Sequence, residues 1–243
     1  MSRLAFIQAH MGSTRLPGKV LKEIQGCTML QRVFQRTRQA KLLDDVVVVT
    51  STLAADDAIV AECSRMGAPY FRGSDDDVLD RFYQAMLQYR PAAIVRITSD
   101  CPLIDSSVID LTIREFMEKA PDYASNSIIR CFPRGLDTEV MTAAVLERAW
   151  READQPWQRI HVTPYIYQNP QIFRMLPVTA DCDLGALRWT VDTPEDLEFV
   201  RAVYAALRNT ENFDWHDVLE VLRCHPELAE INAAIVQKAT HEG

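Results

Sequence analysis

Between positions 8 and 19 the chain reads Gln8-Ala9-His10-Met11-Gly12-Ser13-Thr14-Arg15-Leu16-Pro17-Gly18-Lys19. These residue types suit a polyphosphate. Gly12 and Ser13 let backbone N–H groups approach phosphate oxygens closely. Arg15 and Lys19 add two cations, suited to a triphosphate. The spacing is not that of a P-loop. Ser13 stands where that motif needs its first glycine, and Val20 stands where a hydroxyl would reach Mg²⁺. The rival reading is a Gly/Pro-rich surface turn.

A second group lies at Thr98-Ser99-Asp100-Cys101-Pro102. A carboxylate such as Asp100, at the end of a strand, can hold a hard divalent cation that bridges nucleotide phosphates. Taken alone, Asp100 reads equally as a turn cap. Asp105 reads as the N-cap of the next helix. Asp192 sits between an expected strand and an expected helix. Glu195 and Asp196 read as first-turn charges favoured by the helix dipole.

Elements must bring these groups to one place. Leu4-Ala5-Phe6-Ile7 reads as a first buried strand, near 3–9, with the phosphate loop at its carboxyl end. That is where α/β sheets bind nucleotides. Helical spacing is expected near 28–41, 55–66, 76–90 and 106–119. Strands are expected at 46–49, near 69–71 and at 93–97. Repeated βα units predict a doubly wound, mostly parallel sheet. Later, residues 122–141 read as two extended pieces forming a hairpin-like arm. Helices are expected near 142–153, 158–168 and 194–208, and strands at 172–176 and 187–191. Two more helices are expected in 214–238, around His225-Pro226. This gives a domain over 1–208 with a helical appendage over 209–243.

Composition narrows the classes. The 243 residues are 48% apolar, ample for a core, and carry a net charge of −8. An acidic chain with no basic stripe argues against nucleic acid as a partner. No apolar run is long enough for a membrane span. The start lacks a signal-peptide pattern, so a cytoplasmic location is expected. Six scattered cysteines form no CxxC pair, which gives no zinc or redox motif. Cys101 reads as a packing residue rather than a nucleophile.

The loop at 8–19 resembles the first signature of the sugar-acid cytidylyltransferases. From Leu4 to Lys238 the chain is similar to the SpsF-type spore coat polysaccharide cytidylyltransferase-like family. Arg96 to Asp105 resembles that family's Gly-Asp-Cys-Pro-Leu-Ile-Asp segment, with Ser99 for Gly. Phe132 to Val140 and Arg72 to Arg81 resemble further segments. His10 replaces an Arg, and Ile160 replaces the Glu before His161.

The resemblance implies a nucleotidyltransferase fold of the Rossmann-like, GT-A-like type. It implies a CTP-dependent enzyme that transfers CMP to an acidic sugar or other anionic acceptor for surface polysaccharide, with pyrophosphate released. It favours Mg²⁺ on Asp100 and Asp192. Arg15, Lys19 and Asp100 would be catalytic. Gln8, Ala9, His10, Gly12, Ser13, Gly73 and Ser74 would join Arg15 and Lys19 around the nucleotide. Arg134 and His161 would meet the acceptor, and a homodimer is compatible. Two alternatives stay open. A GT-A-type glycosyltransferase would use a nucleotide sugar, although its usual Asp-x-Asp pair is absent at Asp100. A non-catalytic nucleotide-binding partner is the other.

Overall fold

The computed structural model describes residues 2–208 and 210–237. In chain order the elements are β1 Arg3–Gln8, β2 Glu23–Ile24, β3 Cys27–Thr28, α1 Met29–Arg38, β4 Asp45–Ser51, α2 Asp57–Met66, β5 Tyr70–Gly73, α3 Val78–Tyr89 and β6 Ala93–Thr98. There follow α4 Ser106–Lys119, β7 Tyr123–Ser125, β8 Glu139–Thr142, α5 Ala143–Glu152, α6 Pro156–His161, α7 Pro164–Tyr167, β9 Met175–Pro177, α8 Pro194–Ala206 and α9 Trp215–Cys224.

One seven-stranded sheet runs in the order β5-β4-β1-β6-β8-β7-β9, and β2 pairs with β3 apart from it. β1 is parallel to both β4 and β6, while β8 runs antiparallel to β6 and β7. The fold is therefore α/β with a mostly parallel sheet, as the alternating pattern predicts. The central strands are apolar on both faces because helices cover both. Ala5, Ile7, Val46 and Val48 pack towards α1, α2 and α4. Leu4, Phe6, Val47 and Val49 pack towards α3 and α5.

The chain moves outward from β1 to β4 and β5, then returns to β6 on the other side. This reversal opens a crevice at the carboxyl ends of β1 and β6. Gln8 at the end of β1 is in register with Thr98 at the end of β6. The loops that carry Lys19 and Asp100 therefore leave the sheet side by side.

The second half departs from the sequence-based expectations in several places. The two extended pieces expected within 122–141 form as β7 and β8 and pair antiparallel, but as internal strands of the main sheet rather than as a separate arm. The connection between them travels out to meet 187–189, where Arg134 N donates to Leu187 O and Trp189 N to Arg134 O. The expected strand at 187–191 is thus a single bridge, Arg134 to Arg188. Its apolar alternation arises from burial of Trp189 and Val191 in the core, not from a ladder. The expected strand at 172–176 starts later, at Met175, because β7 offers only a short partner. The expected helix at 158–168 breaks into α6 and α7, with Val162 at φ 72° and Pro164 starting the second piece. In the tail α9 forms, but Pro226–Glu230 is a 3₁₀ turn rather than an α-helix. Lys238 and the residues after it lie outside the described residues.

Candidate active site

The loop after β1 is folded by its own backbone. Ser13 N and Gly18 N both donate to Met11 O, and Leu16 N donates to Ser13 Oγ. Gly18 takes φ 65°, which starts a 3₁₀ turn at Lys19–Leu21. This turn sends the Lys19 side chain inwards. Its ammonium is 2.9 Å from Asp100 Oδ2, 2.9 Å from Asp192 Oδ1 and 2.8 Å from Val191 O. One cation therefore draws together two carboxylates that are distant in sequence. Burial works against the Lys19 charge, but the two carboxylates outweigh it and its pKa is raised.

Asp100 is held from its other side by the Thr98 hydroxyl, which donates to Oδ1 at 2.6 Å. Burial alone would raise its pKa, yet Lys19 and that hydroxyl hold it down to about 2. The group is thus an anion at any working pH. Asp192 also meets Arg15 at 3.1 Å and Arg188 at 2.9 Å. Arg188 is fixed in turn by Asp196, which accepts from its Nε and Nη2, both at 2.8 Å. Asp196 also completes the capping box of α8 with Thr193. Asp196 is therefore more than a first-turn charge: it orients the arginine that orients Asp192. Asp105 caps α4 as expected and also meets Arg36 at 3.5 Å.

Around this ion cluster lies a cleft of about 530 Å³, lined by Gln8, His10, Gly12, Ser13, Arg15 and Lys19 on the loop side. Asp100, Asp192, His161, Arg96, Asp75 and Arg81 complete much of the wall. A second pocket of about 540 Å³ adjoins it, with Arg96, Thr98 and His161 on the shared wall. It also carries Tyr123, Ser127, Arg130, Asp137 and Glu139. Both its arginines are matched: Arg96 with Glu139 at 2.5 Å, and Arg130 with Asp137 at 2.6 Å.

Some residues singled out in the sequence sit elsewhere. Ala9 is fully buried and binds Val49 O through its N–H. Gly73 and Ser74 stand behind the cleft wall, where Ser74 O accepts from Arg81 Nε. Arg134 is half-buried but lines neither cavity. Burial and the neighbouring Arg130 lower its pKa. His10 lies at the cleft mouth with its pKa lowered by burial and by Lys19. The sequence reading passed over Asp56, Arg81, Arg96 and Arg188. The spacing of Arg188 to Asp192 and Asp196, four and eight positions away, was the signal for the last.

Among the described residues no group of three or more His, Cys, Asp or Glu side chains could hold a metal. Asp100 and Asp192 are oxygen donors of the kind a hard ion such as Mg²⁺ takes, with Lys19 between them in this structure; phosphate oxygens and water would complete its shell.

Comparison with known proteins extends this geometry. The cytidylyltransferase family model matches residues 4–220. The chain is 37% identical over 247 residues to an uncharacterized protein of Methanocaldococcus jannaschii, covering 100% of this chain and 99% of that one. It is 34% identical to the spore coat polysaccharide biosynthesis protein SpsF of Bacillus subtilis, covering 93% and 96%. A solved structure of a cytidylyltransferase from Leptospira borgpetersenii superposes with a TM-score of 0.89 at 32% identity, covering 97% and 98%. The span matched by the family model takes in the loop after β1, both carboxylates and every strand of the main sheet, and the chain belongs to the cytidylyltransferase family.

Proposed function

We propose that this CTP-dependent nucleotidyltransferase moves CMP from CTP to an oxygen of an acidic sugar or another anionic acceptor, for the making of a surface polysaccharide. The observation that carries this reading is Lys19 between Asp100 and Asp192 at the end of β1, with Arg15 alongside. Two cations and two carboxylates within one ion cluster match what CMP transfer requires: charge neutralised on a triphosphate, and in-line positioning of an attacking oxygen.

In this reading the acceptor oxygen attacks the α-phosphorus, the bond to the β-phosphate breaks, and pyrophosphate leaves. Arg15 meets the phosphates that gain charge as pyrophosphate departs, and Lys19, whose N–H groups hold Asp100, Asp192 and Val191 O, adds its charge beside them. Asp100 and Asp192 would hold Mg²⁺. When bound, the ion supplies Lewis-acid neutralisation at the phosphates and at the attacking oxygen. Asp100 is too acidic to serve as a base, and its part is to stay charged and fixed. Thr98 and Arg188 hold the two carboxylates in place. The acceptor is assigned to the adjoining pocket, with Arg130 and His161 on its wall.

The test is pyrophosphate release from each of the four nucleoside triphosphates, with Mg²⁺ and a panel of carboxylated and phosphorylated sugars. The reading expects release from CTP with at least one acceptor. Release of a nucleoside diphosphate from a nucleotide sugar instead would point to glycosyl transfer.

A further inference from the structure

Four side chains on the adjacent strands β1, β6, β8 and β7 are joined in one row: Gln8, Arg96, Glu139 and Tyr123. Gln8 Oε1 accepts from Arg96 Nε at 3.2 Å and from its Nη2 at 2.8 Å. Arg96 Nη1 donates to Glu139 Oε2 at 2.5 Å. Glu139 Oε1 accepts in turn from the Tyr123 hydroxyl at 2.7 Å and from Thr163 Oγ1 at 2.9 Å. The Arg96 side chain is 13% exposed and commits all three of its nitrogens to this row, so it has no freedom to turn. A guanidinium only donates, so the Gln8 amide has one orientation: its oxygen faces Arg96 and its nitrogen turns away. Among the described residues no protein group accepts from that nitrogen. Gln8 lines the cleft, so the nitrogen is a fixed donor offered to a ligand there.

The place of that donor follows from the two cavities. The phosphorus that is transferred must lie where the nucleotide cleft meets the adjoining pocket, and their shared wall holds Arg96, Thr98 and His161. Gln8 is bonded to the first of these and in register with the second, whose hydroxyl holds Asp100. Burial opposes the Arg96 charge, but Glu139 outweighs it and Asp100 adds to the rise in its pKa, so the row lies within electrostatic reach of the ion cluster. We propose that the Gln8 amide nitrogen donates to a non-bridging oxygen of the α-phosphoryl group, and that Arg96 is the positioning residue that fixes the amide for this contact. The inference rests on the cleft being the CTP site. As the acceptor oxygen bonds to phosphorus, pyrophosphate leaves with the electron pair of the broken bond. Gln8 transfers no proton; its N–H follows the charge that gathers on the phosphoryl oxygen. The row beneath supplies rigidity, since each hydrogen bond in it is made before substrate arrives.

Calorimetric titration of the whole chain with CMP and with cytidine tests this, because the two ligands differ only in the α-phosphoryl group. The wild type is expected to bind CMP about tenfold or more tightly than cytidine. Gln8→Met keeps the length of the side chain and removes the donor, so CMP affinity should fall about tenfold while cytidine affinity holds. Gln8→Glu still accepts from Arg96, which keeps the row intact, but sets an anion against the phosphoryl group; its CMP affinity should fall further. Arg96→Lys, with its melting temperature measured alongside, keeps a cation for Glu139 and loses the fork on Gln8. It should weaken CMP binding by about fivefold to tenfold alone and add nothing in the Gln8→Met background, since it acts through the amide. A CMP-to-cytidine ratio unchanged in Gln8→Met and Gln8→Glu, or equal wild-type affinity for the two ligands, overturns the amide's role while leaving the cleft a nucleotide site. Losses that add in the double variant, or that fall on cytidine equally, overturn the positioning role of Arg96. A wild type that binds neither CTP nor CMP overturns the proposed function itself.

Discussion

Lys19 makes its whole set of bonds to two carboxylates and one carbonyl. Removing it leaves two anions facing each other at low exposure. Lys19→Met should therefore cost about 3–5 kcal/mol of stability, as breaking one partner of a buried ion pair does. Arg15→Ala, with a side chain that is 28% exposed, should cost far less stability yet still weaken CTP binding. Thermal melts of the two variants decide it, and equal losses would contradict the picture of Lys19 as the hub. The pH dependence follows from Asp100. Its carboxyl is depressed to about 2, so the stability it adds is present above its unfolded pKa of about 3.9 and is lost as pH falls through about 2. Asp100→Asn should melt lower than wild type near neutral pH, and the gap should close on acidification below that value. A gap of constant size would show that the charge is not what stabilises. His10 behaves in the opposite sense. Its pKa is lowered, so it is neutral in the empty cleft near pH 7, while a bound triphosphate favours its protonated form. CTP affinity should rise as pH falls, beyond any change owed to CTP itself. His10→Arg should remove that slope and tighten binding at higher pH. Identical CTP affinity profiles for the two proteins would place His10 away from the phosphates.

At the scale of elements, the loop after β1 is held by the residue just before α2 and by the end of β4. Asp56, 2% exposed, accepts from Met11 N at 2.8 Å, Thr50 Oγ1 at 2.9 Å, Ser51 N at 3.0 Å and Ser51 Oγ at 2.6 Å. It is the link between the end of β4 and the phosphate loop. Asp56→Ala orphans those donors and should cost about 2 kcal/mol or more, with CTP affinity reduced by about tenfold. A variant that melts lower but binds CTP like wild type would limit Asp56 to a structural part. The same contrast explains what the sequence made legible. The β-branched run Val46–Val49 and the loop of glycine, serine and cations are local patterns, and both were readable. Asp56 was not, because its partners lie five, six and forty-five positions away and no period marks it. Leu187–Val191 misled because burial imposed the same alternation that pairing would. The helix expected at 158–168 breaks where Thr163-Pro164 announces a stop. The ion cluster itself joins positions 19, 100 and 192, and only the sheet topology brings them together.

At the scale of the whole molecule, the C-terminal segment is fastened to the body that holds the site. Trp215 N donates to Asp105 Oδ2 at 3.0 Å, and Arg36 Nη1 donates to Phe213 O at 3.3 Å. Phe213, Trp215 and Val218 share a core cluster with Trp189, Val191 and Leu197. Further on, Asn232 binds Asp196 Oδ1 at 3.0 Å, and Gln237 accepts from Arg188 Nη1 at 2.5 Å. The segment after 208 thus braces Arg188 and Asp196, which brace Asp192. Truncation after residue 208 should lower the melting temperature by on the order of 10 °C through the apolar area it exposes. A truncated chain that melts and turns over like the full one would show the segment to be separable. The central claim concerns the two carboxylates. Its most direct measurement is pyrophosphate release from CTP in Mg²⁺, under identical conditions, for the wild type, Asp100→Asn and Asp192→Asn, with circular dichroism to confirm that each is folded. The account predicts release by the wild type and a loss of roughly a thousandfold or more in each variant. Near-normal release by either folded variant would contradict it.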